Sequence, residues 1–206
     1  MVKEGYWYGL PLMLIAGGLF GLRLYIPGGF FFVLALLVLN FFRDPERAIP
    51  ADPNAIVSPA DGRVVQIVGE VHAGRPVQRV SIFMSPLDVH VNRSPIAGVV
   101  DDVEYRKGKF RVASLDEASI ENEQNVFRVE GEQGTVVVKQ IAGLLARRIV
   151  FWKRPGEALA RGERLGLIKF GSRVDVLLNP EVELCVNLGN HIRAGSSVLG
   201  YSKSQS

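Results

Sequence analysis

The chain has 206 residues, 48% hydrophobic and 22% charged, enough apolar material for one substantial core and too much for a disordered chain. Its 24 basic and 21 acidic side chains leave a formal charge of +3, too slight and too evenly spread for a nucleic-acid stripe, so no nucleic-acid partner is expected; mild attraction to an anionic membrane surface is compatible with it. The single Cys185 excludes an intramolecular disulfide framework and a thiolate metal cluster, and it reads as a small core residue.

Residues 1–42 form a region of their own. Two apolar runs, YWYGLPLMLIAGGLFGL and YIPGGFFFVLALLVLNFF, are divided by Arg23 and by a turn expected at Pro27, Gly28 and Gly29, with no cleavage site of the signal-peptide kind. Each run is at or below the ~18–20 residues that cross a bilayer upright, so a tight hairpin, fully or shallowly inserted, fits better than two spans. Lys3 before the pair and Arg43 and Arg47 after it put both outer ends on the cytoplasmic side. Tyr6, Trp7, Tyr8, Phe41 and Phe42 supply an aromatic girdle suited to a membrane interface.

From residue 43 to residue 206 the chain is β-rich. AIVSPADGRVVQIV, RVSIFM, DVHVN, GVVDDVEYR, NVFRVEG, GTVVVKQI, RRIVFW and RVDVLLN are short Val, Ile and Phe runs bounded by Gly, Pro, Asn or Asp. They predict a mainly β domain of packed antiparallel sheets, sandwich-like, carrying the N-terminal helical hairpin and one or two short helices. SLDEASIENEQ is the convincing helical start, with Ser114 as N-cap and Glu117 closing a capping box. The C-terminal VELCVNLGNHIRAGSSVLGY reads as strand, turn, strand, and no tandem repeat or low-complexity tract occurs.

In RLGLIKFGSRVDVLLN, residues 164–179, strand alternation stops at Gly171 and Ser172 and then resumes. Glycine admits backbone conformations that a Cβ forbids, and a hydroxyl beside it can attack the preceding carbonyl. The tripeptide alone says little, since Gly-Ser in a strand bulge is usually structural. Gly195 and Ser196 offer a second such bond, in what reads as an ordinary hairpin turn.

FFRDPER, SPADGRV, MSPLDVHVNRSP, GKF, NEQN, GLLARRIV and KFGSRVDV, taken in order, resemble the short, membrane-associated form of phosphatidylserine decarboxylase, and the likeness runs from about Phe41 to the end. The resemblance implies that the bond between Gly171 and Ser172 cuts itself, leaving a large β chain (1–171) and a small α chain (172–206), and that Ser172 becomes a covalent pyruvoyl group. Chemically, Ser172 Oγ attacks the Gly171 carbonyl, β-elimination of the resulting ester frees the Gly171 carboxylate and leaves dehydroalanine at 172, and hydrolysis releases ammonia and leaves a ketone there. That ketone can form a Schiff base with a serine-type headgroup and accept the electrons released with CO₂. Neither pyridoxal phosphate nor a metal is then required. The implied substrate is phosphatidylserine in the bilayer, the product phosphatidylethanolamine, and the setting the cytoplasmic side of the cell membrane, with a homo-oligomer left open.

The resemblance also singles out Asp61 and His90. From spacing alone Asp61 is a turn residue and His90, between Val89 and Val91, a core or interface histidine. In the long bacterial form a second histidine follows three residues after the first and serves self-cleavage; here that position is Arg93, which is no general base near neutral pH. Either His90 takes both duties, or Asp61 acts more directly on Ser172 and His90 is reserved for proton transfer in decarboxylation. His72 and His191 read as exposed turn residues, and the three histidines lack metal-ligand spacing. NEQN (122–125) either lines the site or makes a polar junction; Arg147 and Arg148 either face a phosphate or solvate a strand edge. Alternation points Arg173 away from Ser172.

Two other classes compete. SPADGRVVQIV and VNLGNHIRAGSSVLG also look like halves of a biotinyl or lipoyl-type β-domain, although no Lys flanked by Met is present for modification. A membrane-anchored structural β-domain without chemistry would stay as one intact chain.

Overall fold

The computed structural model describes residues 1–109, 121–143, 148–169 and 172–203, and the chain divides into two compact units, Met1–Glu46 and Arg47–Ser206. In the first unit, α1 (Lys3–Gly21) and α2 (Tyr25–Phe41) form a hairpin. Small residues let the helices approach: a Cβ at Gly9 would lie 2.4 Å from a Leu39 methyl, and one at Gly28 would lie 2.7 Å from the Phe20 ring. The turn falls at residues 22–24, where Arg23 has φ 61°, and not at Pro27–Gly29 as expected. Proline is tolerated in a first helical turn because its missing N–H has no intrahelical partner there. Trp7, Leu14, Ile26 and Phe30 are exposed. No helix among the described residues is long and apolar enough to cross a membrane.

The regular elements described in the second unit are strands, apart from a helical end at Glu121. β1 (Ala55–Val57) is followed by the long hairpin of β2 (Gly62–His72) and β3 (Arg75–Met84), then by the short β4 (Val91–Arg93) and by β5 (Gly98–Arg106). β6 (Gln124–Gly131) and β7 (Gly134–Ala142) make a second hairpin, and β8 (Ile149–Phe151), β9 (Ala158–Leu159) and β10 (Arg164–Ile168) lead into β11 (Ser172–Leu178). β12 (Glu183–Leu184), β13 (His191–Ile192) and β14 (Val198–Tyr201) close the chain. An eight-stranded antiparallel sheet has the order β13-β2-β3-β11-β7-β6-β5-β9, flanked by the three-stranded sheets β4-β10-β8 and β1-β14-β12.

β11 is buried along its whole length, yet its two faces differ. Val174, Val176 and Leu178 join Val80, Ile82, Phe127, Val138, Leu165 and Leu199 in the apolar core. On the other face Arg173 donates to Asp175 Oδ1 (2.6 Å), Ser81 Oγ (2.7 Å) and Gln66 Oε1 (3.0 Å). A charge this deep persists only when paired and hydrogen-bonded, and Arg79 joins the set through Glu70 and Asp175. Lys139, opposite Asp175, is held below the usual amine range by burial, with Glu70 and Asp175 acting against that shift.

Three expectations change. Cys185 is exposed rather than buried, because after β12 it takes the outward position between buried Val182 and Val186. His72 is half-buried, and burial, then Lys139, lower its pKa. Asp61 does not sit in a hairpin turn but directly precedes β2. The helix expected from Ser114 falls on residues outside those described, apart from its end.

Candidate active site

The alternation break at residues 171 and 172 marks a change of sheet. β10 pairs with β4 and β8, so up to Ile168 the chain belongs to one three-stranded sheet. Ser172 opens β11, which pairs with β3 and β7 in the large sheet. Phe170 and Gly171 lie outside the described residues, as do Phe110 and Arg147. The chain therefore passes between sheets within three residues, immediately before the candidate nucleophile.

Ser172 is fully buried on the core face of β11, opposite Met84 on one side and Ala142 on the other. Its hydroxyl donates to the Met84 sulfur at 3.3 Å, and a thioether is a weak acceptor. The same sulfur is 3.9 Å from Asn92 Nδ2. Asn92 anchors a buried amide chain: its Oδ1 accepts from Gln140 Nε2 (2.8 Å), and Gln140 Oε1 accepts from Asn125 Nδ2 (2.9 Å). Asn122 Nδ2 donates to the carbonyl of Ala142 at 2.7 Å. Of the NEQN stretch, then, Asn122 and Asn125 belong to the surroundings of Ser172. Glu123 instead accepts from Tyr105, whose phenol is pushed up to about 12, first by burial and then by that bond.

His90 directly precedes β4 and lies against the end of β10. It is buried, and its carbonyl accepts from the N–H of Ile168 at 3.4 Å, four residues before Ser172. Nδ1 is 2.9 Å from the Asp88 carbonyl; a carbonyl only accepts, so Nδ1 carries the hydrogen and Nε2 is the acceptor nitrogen of the neutral ring. Arg93, at the far end of β4, donates to the Gly162 carbonyl at 3.0 Å, a structural engagement.

Asp61 is held differently. Its Oδ2 accepts from Arg47 at 2.7 Å and its Oδ1 from the Ala194 N–H at 2.8 Å. Neither Ser172 nor His90 is a hydrogen-bond partner of this carboxylate. The structure thus groups Ser172 with Asn92, and His90 with the end of β10, while Asp61 is locked to a half-buried arginine. Gly62 after it has φ 149°, and a Cβ there would lie 2.2 Å from the Phe83 carbonyl, so only glycine lets Asp61 enter β2 here. Gly195, with φ 76°, occupies a turn before β14, and Arg148 is exposed.

Sequence patterns did not reveal Met84, Gln140 or Arg47 as site neighbours. Met84 and Gln140 occupy inward strand positions like any core residue, and Arg47 reads as a flanking charge. Met84 and Asn92 lie in MSPLDVHVNRSP and Arg47 ends FFRDPER, stretches already singled out, but nothing in their spacing marked which residues they meet.

A family model described as phosphatidylserine decarboxylase matches residues 34–200. The phosphatidylserine decarboxylase proenzyme of Solibacter usitatus is 50% identical over 206 residues, covering 97% of this chain and 95% of that protein. The proenzyme of Burkholderia ambifaria is 44% identical, covering 97% and 94%, and that of Cupriavidus pinatubonensis is 42% identical, covering 96% and 84%.

Proposed function

The chain belongs to the phosphatidylserine decarboxylase family, and we propose that it converts phosphatidylserine to phosphatidylethanolamine through a pyruvoyl group made from Ser172 after self-cleavage between Gly171 and Ser172. The observation that carries this is the placement of Ser172 as the first described residue after a change of sheet, its buried hydroxyl turned to a weak acceptor, with the His90 carbonyl bonded to the end of β10 just before it. The biotinyl or lipoyl alternative gains no support from the relatives.

The surroundings of residue 172 suit the converted group. Conversion replaces the hydroxymethyl by a methyl and the amide nitrogen by a keto oxygen. Met84 and Ala142, its ladder partners, offer an apolar seat for that methyl. The keto group, when present, supplies the electron sink for the departing CO₂.

The chain's own residues provide the rest. In maturation, the Ser172 hydroxyl loses its proton as Oγ attacks the Gly171 carbonyl, and the weak bond to Met84 costs little to break. Asp61, which accepts from Arg47, orients the start of β2, one strand beyond β3. In turnover, His90 Nε2 returns a proton to the headgroup carbon that lost CO₂; an imidazole suits that exchange near neutral pH. The α1–α2 hairpin, with its outward aromatic and aliphatic side chains, would lie in the membrane interface on the cytoplasmic side and bring the β unit to its lipid.

The test is to incubate purified protein with phosphatidylserine vesicles, measure CO₂ release, and reduce with a hydride reagent. Mass spectrometry should find the headgroup fixed to the 35-residue fragment beginning at residue 172. An intact 206-residue chain that still releases CO₂ would overturn the pyruvoyl assignment.

A further inference from the structure

His191, on the edge strand β13, contacts the segment that carries His90. Its Nε2 lies 3.1 Å from Asp88 Oδ1. A carboxylate only accepts, so Nε2 is the protonated nitrogen of this contact. The second oxygen of Asp88 accepts from the Ser85 N–H at 2.8 Å, and the Asp88 N–H donates to the Ser85 carbonyl at 2.9 Å. The carbonyl of Asp88 in turn accepts from His90 Nδ1. One residue thus connects His191 to His90 in series. Its carboxylate is fixed on one side by its own turn and on the other by β13, and its backbone oxygen sets the imidazole.

We propose that His191 is a positioning residue for decarboxylation: through Asp88 it holds the turn at residues 85–88, and hence the ring orientation and tautomer of His90. The proposal rests on the role assigned to His90 under the proposed function. β13 is otherwise a two-residue strand paired only to Gly62 and Arg63 of β2, and His191 is more than half exposed, so its ring adds little to the core. Its position matters for a second reason. Asp88 precedes the proposed scissile bond and His191 follows it, so after cleavage their contact fixes the His90 turn to the fragment that begins with residue 172.

The protein contains three histidines, so ¹⁵N-histidine labelling of the full mature protein in detergent gives a spectrum simple enough to read the tautomer of His90. That spectrum, with kcat and KM on phosphatidylserine micelles, is compared among wild type, His191→Ala, His191→Gln, Asp88→Asn, the Asp88→Asn/His191→Ala double variant and His90→Ala. A glutamine amide nitrogen stands about where Nε2 stands. The expected result for His191→Ala is a ~10-fold loss in kcat, the size given by losing a hydrogen bond to a charged group, with KM nearly constant and His90 shifted to a mixture of tautomers. His191→Gln should restore most of the kcat and the single tautomer, and the Asp88→Asn and His191→Ala losses should not add. An unchanged tautomer or kcat in His191→Ala, or a glutamine no better than alanine, would overturn the proposal. Inactivity of His90→Ala alongside a fully active His191→Ala would sink only this inference; full activity of His90→Ala would sink the assigned role of His90 as well.

Discussion

Ser172 directs its hydroxyl to the sulfur of Met84, 3.3 Å away across the β3–β11 ladder. A buried serine usually satisfies its hydroxyl on a carbonyl or carboxylate. Here the partner is a thioether, so the oxygen is fixed in direction yet weakly held, as suits a group that must leave its partner to react.

Ser172→Ala should therefore give one full-length band on a denaturing gel, inactive toward phosphatidylserine, whereas Ser196→Ala should still give fragments of 171 and 35 residues. Intact mass decides the matter, and a cut Ser172→Ala chain would remove the assignment.

Asp61 and His90 should separate by stage. Asp61→Asn is expected to accumulate uncut chain. It should also melt early, because Arg47, with only 10% of its side chain exposed, loses its counter-ion; breaking such a pair costs about 3–5 kcal/mol. Arg47→Met combined with Asp61→Asn should recover much of the melting temperature but stay uncut, which separates maturation from stability. His90→Ala should be at least partly cut and should take up headgroup on hydride reduction, but decarboxylate poorly. A wholly uncut His90→Ala protein would make the histidine the maturation base.

Gln140→Leu tests the amide chain behind Ser172. The leucine fills the space but strands Asn92 Oδ1 and Asn125 Nδ2, each buried group costing about 1–3 kcal/mol. A melting temperature equal to wild type would show that the chain is not a stability element.

Deleting residues 2–40 should release the protein from sedimented vesicles and slow turnover of bilayer lipid, while self-cleavage, an event within the β unit, persists. If the truncated chain stays uncut, the hairpin is required for folding of the β unit.

Much of this was legible in sequence. The Val and Ile runs located β2, β3, β5, β6, β7 and β11, because each strand keeps a period of two against a single core. The two-residue β9 left no such pattern and exists by pairing to a longer neighbour, while β12 and β13 fell inside the stretch read as strand, turn, strand, without their bounds. The same limit applied at the site. Ser172 and His90 stood out through the family resemblance rather than their own spacing, but Gln140 and Asn92 are 48 residues apart and meet only in the folded sheets. Asp61 was visible as a residue, whereas its partner Arg47 was not, since a flanking arginine reads as solvated until burial shows otherwise. Cys185 was misplaced because a lone small residue in an apolar stretch carries no sign of which way it faces.

The change of sheet at residue 172 bears on what kind of object the mature protein is. The segment after the proposed cut supplies β11, flanked by β3 and β7, and β14, flanked by β1 and β12. The two pieces are interleaved, and neither can leave without opening both sheets. Once cleaved, refolding from denaturant becomes a second-order encounter in which a 35-residue fragment must find the middle of a sheet. Unfolding is then effectively one-way at low concentration, and the lifetime of the enzyme is set by the rate at which the sheets open rather than by an equilibrium free energy. The uncut chain passes through folding once, as a single molecule, and that passage is what the precursor form secures.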